Sequence, residues 1–224
     1  MPSWNIHTAH VERLIAEEGA STLGIKDVDA FLMGNVLPDV YVGYMVPDLD
    51  RRIDYKLTHL TMRNHIPIPR HQDFWDFYVV NPKGYGAECV TDVVKGAWCH
   101  LVCDAVYNTY TREFLKTAHV QPGERARILK QGDFARFGRT LDISMKPAVT
   151  QAVIEQCADF PMYSVAEKDV RAAALVCSQI VDDNTANHIE GQPSYQLLTT
   201  DFFSKAKEEA HKTMVEGLKK IVDA

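Results

Sequence analysis

The stretch from about residue 88 to 116 constrains the fold more than any other. Val90, Val93, Val94, Ala97, Leu101, Ala105 and Phe114 point to all sides of a helix rather than along one stripe. A helix that is apolar all round must be enclosed by other elements. The remaining chain offers further helices to enclose it. Val11, Leu14 and Ile15 give an apolar stripe from Ser3 to near Gly19, and Asp27 can cap a short helix through Ala30, Phe31 and Leu32 that stops at Gly34 and Asn35. Residues 35 to 70 read as one long irregular stretch, because Pro38, Pro47, Pro67 and Pro69 interrupt helical periodicity. An amphipathic helix is expected over 70–80, carrying Phe74, Trp75, Phe77 and Tyr78. Others are expected from Pro122 to Met145, from Pro147 to about 158, near 164–188 and over 200–222. Alternating β-branched runs are scarce. The expected fold is all-α, a single multi-helix domain spanning 1–224 around the central helix that carries His100 and Asp104.

A chain of 224 residues, 46% of them hydrophobic, can bury a sizeable core without staples. Its five cysteines lack a secreted framework's spacing, and Cys89, Cys99, Cys103 and Cys177 lie in apolar helical runs, as buried free thiols in a reducing compartment would. Neither a signal peptide nor a membrane-length apolar run is visible, so the expected location is cytoplasmic. Thirty acidic against 24 basic residues, a net charge of -6, leave no basic stripe for a stable nucleic-acid partner. A nuclease working through a small metal site is not excluded, since the ions supply local positive charge.

His100 and Asp104 are four residues apart, so both emerge on one face of the central helix. An imidazole and a carboxylate so placed can chelate one divalent ion; a buried histidine hydrogen-bonded to aspartate is the alternative. The surroundings favour the ion, because an ionised carboxylate in so apolar a helix is costly without a cation or several donors. Upstream stand Asp39 after Pro38, His59 in the proline-rich stretch, and His7 at the opening of the first helix. Singly these read as a turn residue, a solvated histidine and a first-turn histidine. Together with His100 and Asp104 they make a mixed nitrogen and oxygen set suited to zinc or a similar divalent metal.

The segments "MPSWNIHTAH" at the start, "FLMGNVLPDV" at 31–40, "THL" at 58–60 and "GAWCHLVCD" at 96–104 resemble, in order, the zinc-dependent phospholipase C family, whose superfamily relatives include the S1/P1-type nucleases. The resemblance covers about the first half of the chain. It implies that Asp39, His59, His100 and Asp104 surround one zinc, and that Asp104 bridges to a second zinc held also by His7. It further implies that Asp39 accepts a proton from the attacking water and that the reaction is hydrolysis of a phosphoester. In secreted relatives the N-terminal amine and carbonyl complete the second site. Here removal of Met1 would leave Pro2 five residues before His7.

The family's third site calls for a histidine soon after Asp104 and a later His-x-x-x-Glu or Asp. The chain has Tyr107, Asn108 and Tyr110 at the first place, and none of His119, His188 and His211 has an acidic residue four on. One or two zinc ions are therefore expected. His188 could replace a missing ligand or simply face a helix dipole. Arg63 and Arg70 could bind a substrate phosphate, or form surface salt bridges. His65 and His71 could line a pocket mouth or be solvated. Cys99 and Cys103 sit about 100° off the His100/Asp104 face, where core packing accounts for them better than the alternative of a cysteine-containing metal site. The expected substrate is a small phosphoester or a phospholipid. The competing class is a non-catalytic helical protein that keeps the scaffold and a structural or sensing metal.

Overall fold

The computed structural model describes residues 2–62, 64–80 and 90–222, and among these every regular element is helical. In chain order they are α1 (Trp4–Glu18), α2 (Val28–Gly34), α3 (Leu37–Val40), α4 (Tyr55–Thr58), α5 (His71–Trp75), α6 (Asp92–Thr117), α7 (Glu124–Gly138), α8 (Gln151–Ala158), α9 (Glu167–Ala186) and α10 (Thr200–Val222). A single π-helical turn, Asp76–Val80, prolongs α5.

Helix α6 is the axis of the fold. Every residue from Asp92 to Ala105 is buried, as a segment with no polar face requires. It packs chiefly on α2 and α10, with α1, α3, α5 and α8 around it. Its N-terminus is closed by Thr91, whose hydroxyl accepts from the Val94 amide at 3.3 Å. At the first residue of the helix, the buried Asp92 accepts from the Lys26 and Asp27 amides at 3.0 and 2.7 Å and from Lys95 Nζ at 2.8 Å. The chain entering α2 is thereby bound to the start of α6. Asp27 then caps α2 by accepting from the Ala30 amide. Beyond that cap the two helices meet at backbone distance, through Gly34 and Gly96.

Three sequence expectations need correction. The stretch 35–70 holds two one-turn helices, α3 and α4. Pro38 does not break α3, because it lies in the first turn, where its missing N–H has no helical partner to lose. The helix from Pro122 ends at Gly138 rather than Met145, and α8 begins at Gln151 behind a Thr150 cap rather than at Pro147. Between them the chain runs extended because other helices satisfy its backbone. Glu12 on α1 accepts from the Ser144 and Met145 amides at 2.7 to 3.0 Å, and Asp29 on α2 accepts from Ala148 at 2.9 Å. Helical periodicity alone cannot reveal such distant acceptors.

Cys99, Cys103, Cys157 and Cys177 are free and buried, and Cys89 lies outside the described residues. Burial pushes the Cys99 and Cys103 thiols up, which suits neutral packing groups. No helix among the described residues is long and apolar enough to cross a membrane.

Candidate metal centre

Four elements bring the candidate ligands into two adjoining groups that share His100. His7 comes from the first turns of α1, Asp39 from α3, His59 from the C-terminal cap of α4, and His100 and Asp104 from successive turns of α6. All five are at most 3% exposed. His7, His100 and Asp104 offer donor atoms within 4.8 Å of one another, and so do Asp39, His59 and His100. His7 Nε2 is 3.4 Å from Asp104 Oδ1; His59 Nε2 is 3.6 Å from both Asp39 Oδ1 and Asp104 Oδ2. The His7 and His100 rings stack at 4.1 Å.

Hydrogen bonding outside the cluster sets the tautomer of His100. His100 Nδ1 is 2.8 Å from the Asn35 carbonyl oxygen, which can only accept, so Nδ1 carries the proton and Nε2 turns a lone pair inward. Thr58 Oγ1 lies 3.3 Å from the Tyr55 carbonyl and 2.8 Å from His59 Nδ1. Where the hydroxyl gives its proton to that carbonyl, it accepts from Nδ1–H and His59 Nε2 is bare too; where it gives the proton to Nδ1, His59 Nε2–H donates to His100 Nε2. The two Nε2 atoms face each other at 3.2 Å. In the first arrangement two lone pairs face each other and repel unless a cation lies between them; in the second a hydrogen bond joins the rings. Two imidazoles on one tetrahedral zinc, at about 2.05 Å each, stand about 3.3 Å apart.

The carboxylates carry the same signature. Asp39 Oδ2 accepts from Trp4 Nε1 and Asp104 Oδ2 from the Tyr55 hydroxyl, both at 2.8 Å, while Asp39 Oδ1 and Asp104 Oδ1 are buried without a hydrogen-bond partner. Burial pushes the pKa of His100 down to about 3 and lowers that of His59 against the pull of Asp39 and Asp104. Burial opposes the Asp104 charge as well, but the His7 contact and the adjoining imidazoles outweigh it and hold the carboxyl below its usual range. With His59 and His100 neutral their pull on Asp104 is lost, and a cation at the cluster would take its place. Buried neutral nitrogens, buried anionic oxygens and orphaned lone pairs in these adjoining groups fit a divalent cation.

Other residues singled out in the sequence lie elsewhere. Arg70 is exposed, donates to the Leu60 carbonyl at 2.7 Å and pairs with Asp73 at 2.9 Å. With His71, Tyr110 and Glu113 it lines a surface cleft of about 630 Å³. Arg63 and Met1 lie outside the described residues. His65 lines a different cleft, with Arg112, Lys116 and His119. His188 faces the exposed Asp142 at 3.8 Å. Sequence reading missed Trp4, Asn35, Tyr55 and Thr58. The Tyr55-x-x-x-His59 spacing was the available signal, since it stacks the tyrosine on the imidazole at 3.7 Å.

One turn beyond His7, His10 is buried with Nε2 3.2 Å from the Tyr107 hydroxyl. Burial, then the neighbouring His7, His211, Lys207 and Arg13, push its pKa down to about 3. Its unfolded value is near 6.5. The native state therefore keeps His10 neutral while the unfolded chain binds a proton, so its contribution is complete above pH 6.5 and is lost as the pH falls toward 3. The slope is about 1.4 kcal/mol per pH unit. Urea denaturation of metal-free protein between about pH 7 and 4.5 is expected to lose stability more steeply than in His10→Gln by roughly that amount. Parallel curves would show that His10 titrates alike in both states.

No family model matches the chain, and neither a curated protein nor a solved structure does.

Proposed function

We propose that the chain is a metal-dependent phosphoester hydrolase that takes zinc at this cluster and acts on a phosphodiester. The observation that carries this reading is the pair of facing imidazole nitrogens, 3.2 Å apart, beside two orphaned carboxylate oxygens. The order His7, Asp39, His59, His100 and Asp104 along the chain, in segments that resemble the zinc-dependent phospholipase C family, supports the reaction class. A zinc ion there supplies Lewis acidity for a phosphoryl oxygen and brings the pKa of water toward neutrality. His59, His100, His7, Asp104 and Asp39 would make up the donor set, and Asp39 would also accept a proton from water. Trp4 and Tyr55 are partly exposed beside the buried donors, so solvent and substrate are expected to enter on their side.

One observation favours a second reading. All five donors are closed off from solvent, as in a structural metal site without an open position. Elemental analysis beside hydrolysis of a chromogenic phosphodiester and of a phospholipid separates the two. Bound zinc, with activity reduced at least about 100-fold in Asp104→Asn, supports the hydrolase. Bound zinc with no turnover of either substrate supports the structural site. A chain that takes up no divalent metal defeats both.

A further inference from the structure

In Asp39 and Asp104, one oxygen is held by an aromatic donor and the other is bare. Trp4 Nε1 and the Tyr55 hydroxyl each donate to Oδ2 at 2.8 Å. The bare Oδ1 of Asp39 faces His59 Nε2 at 3.6 Å, and that of Asp104 faces His7 Nε2 at 3.4 Å. An aspartate carboxyl turns about χ2 in a broad, nearly two-fold well, so nothing intrinsic decides which oxygen points where. Here the choice is made from outside. Trp4 lies in the first turn of α1, three residues before His7, and Tyr55 lies four before His59 on α4. The two elements that deliver His7 and His59, α1 and α4, thus also deliver the donors that orient carboxylates on α3 and α6.

We propose that Trp4 and Tyr55 are positioning residues of the metal centre, holding Oδ2 of Asp39 and Asp104 so that the Oδ1 atoms serve as ligands. The inference rests on the metal reading above. Its cost in the free protein is small, because the donors also satisfy buried acceptors. Its benefit is that the oxygens need not be ordered when the ion binds. Donors behind ligand groups commonly account for 10–100-fold in metal affinity.

Tyr55→Phe removes the hydroxyl while retaining a ring to stack on His59, and Trp4→Phe removes the indole N–H. Zinc affinity by titration calorimetry and the visible spectrum of the cobalt-substituted protein are the readouts, with a thermal melt of metal-free protein as the check on folding. Each variant is expected to bind zinc about 10–100-fold more weakly with an altered cobalt spectrum, while its metal-free melt stays close to wild type. If wild type binds zinc and both variants bind it equally or more tightly with the wild-type spectrum, the positioning role is overturned. If a variant's metal-free melt collapses, the cobalt spectrum at saturating metal decides: an unchanged spectrum overturns the role, and a changed one upholds it. Wild type that binds neither ion overturns the metal reading itself.

Discussion

Zinc added to the metal-free protein is expected to raise its melting temperature by roughly 8 to 16 °C at a free concentration 1,000 times Kd. An ion that binds only the folded state stabilises it by about 4 kcal/mol at that ratio. In a chain of this length each kcal/mol moves the midpoint by about 2–4 °C. Affinity for the folded state should be high because the donors are already assembled. His59 and His100 present their Nε2 atoms 3.2 Å apart, and Asp39 and Asp104 each present an Oδ1 with no hydrogen-bond partner. Burying two carboxylates beside three imidazoles is costly in the metal-free protein. His100→Ala should abolish the shift, because His100 is common to both groups of donors. Differential scanning calorimetry with and without zinc measures the effect directly. A midpoint that zinc leaves unmoved, at concentrations up to the millimolar range, would mean that the cluster is a hydrogen-bonded core feature and not a cation site.

The architecture was legible in the sequence where hydrophobic period alone decides the outcome. The all-round apolar run names the central helix, and enclosure by other helices follows from it. The candidate donors were legible because His100 and Asp104 are locked to one face by helix geometry. What could not be read was anything set by a distant partner. Glu12 and Asp29 supply the acceptors that let residues 144–148 leave helical structure, and no local pattern announces them. Asp39 was expected in a loop because Pro38 precedes it, yet a first-turn proline suits the one-turn helix found there. His7 taken alone read as an exposed first-turn residue and is instead 1% exposed, because α1 lays its first turns against the face of α6 that holds Asp104. The outer hydrogen-bond partners, Trp4, Tyr55, Thr58 and the Asn35 carbonyl, become visible only once these elements converge.

Gly96→Ala is expected to destabilise the protein by about 3 kcal/mol or more, the upper end of overpacking costs, and to weaken metal binding as well. Gly96, His100 and Asp104 are spaced four apart and so share one face of α6. At Gly96 that face meets α2 backbone to backbone. A Cβ there would stand 2.1 Å from the Phe31 carbonyl oxygen and 2.7 Å from the Asn35 nitrogen. Neither atom can turn aside as a side chain could, so α2 must move off α6. Asn35 is the C-cap of α2, and its carbonyl fixes His100 Nδ1 at 2.8 Å. A shift of under an ångström stretches that bond and releases the tautomer that turns His100 Nε2 toward His59. The reciprocal contact behaves alike, since a Cβ on Gly34 would meet the Val93 carbonyl oxygen at 2.1 Å. Gly132→Ala on α7 is the control. Its added methyl approaches the flexible Arg136 guanidinium at 3.2 Å, and a helix-interior alanine is expected to leave stability unchanged or raise it by up to about 1 kcal/mol. Urea denaturation of both variants, with zinc titrations of each, tests the coupling. Gly96→Ala should lose stability and zinc affinity together, and Gly132→Ala neither. A Gly96→Ala protein that is destabilised but binds zinc as wild type does would separate the helix crossing from the centre it positions.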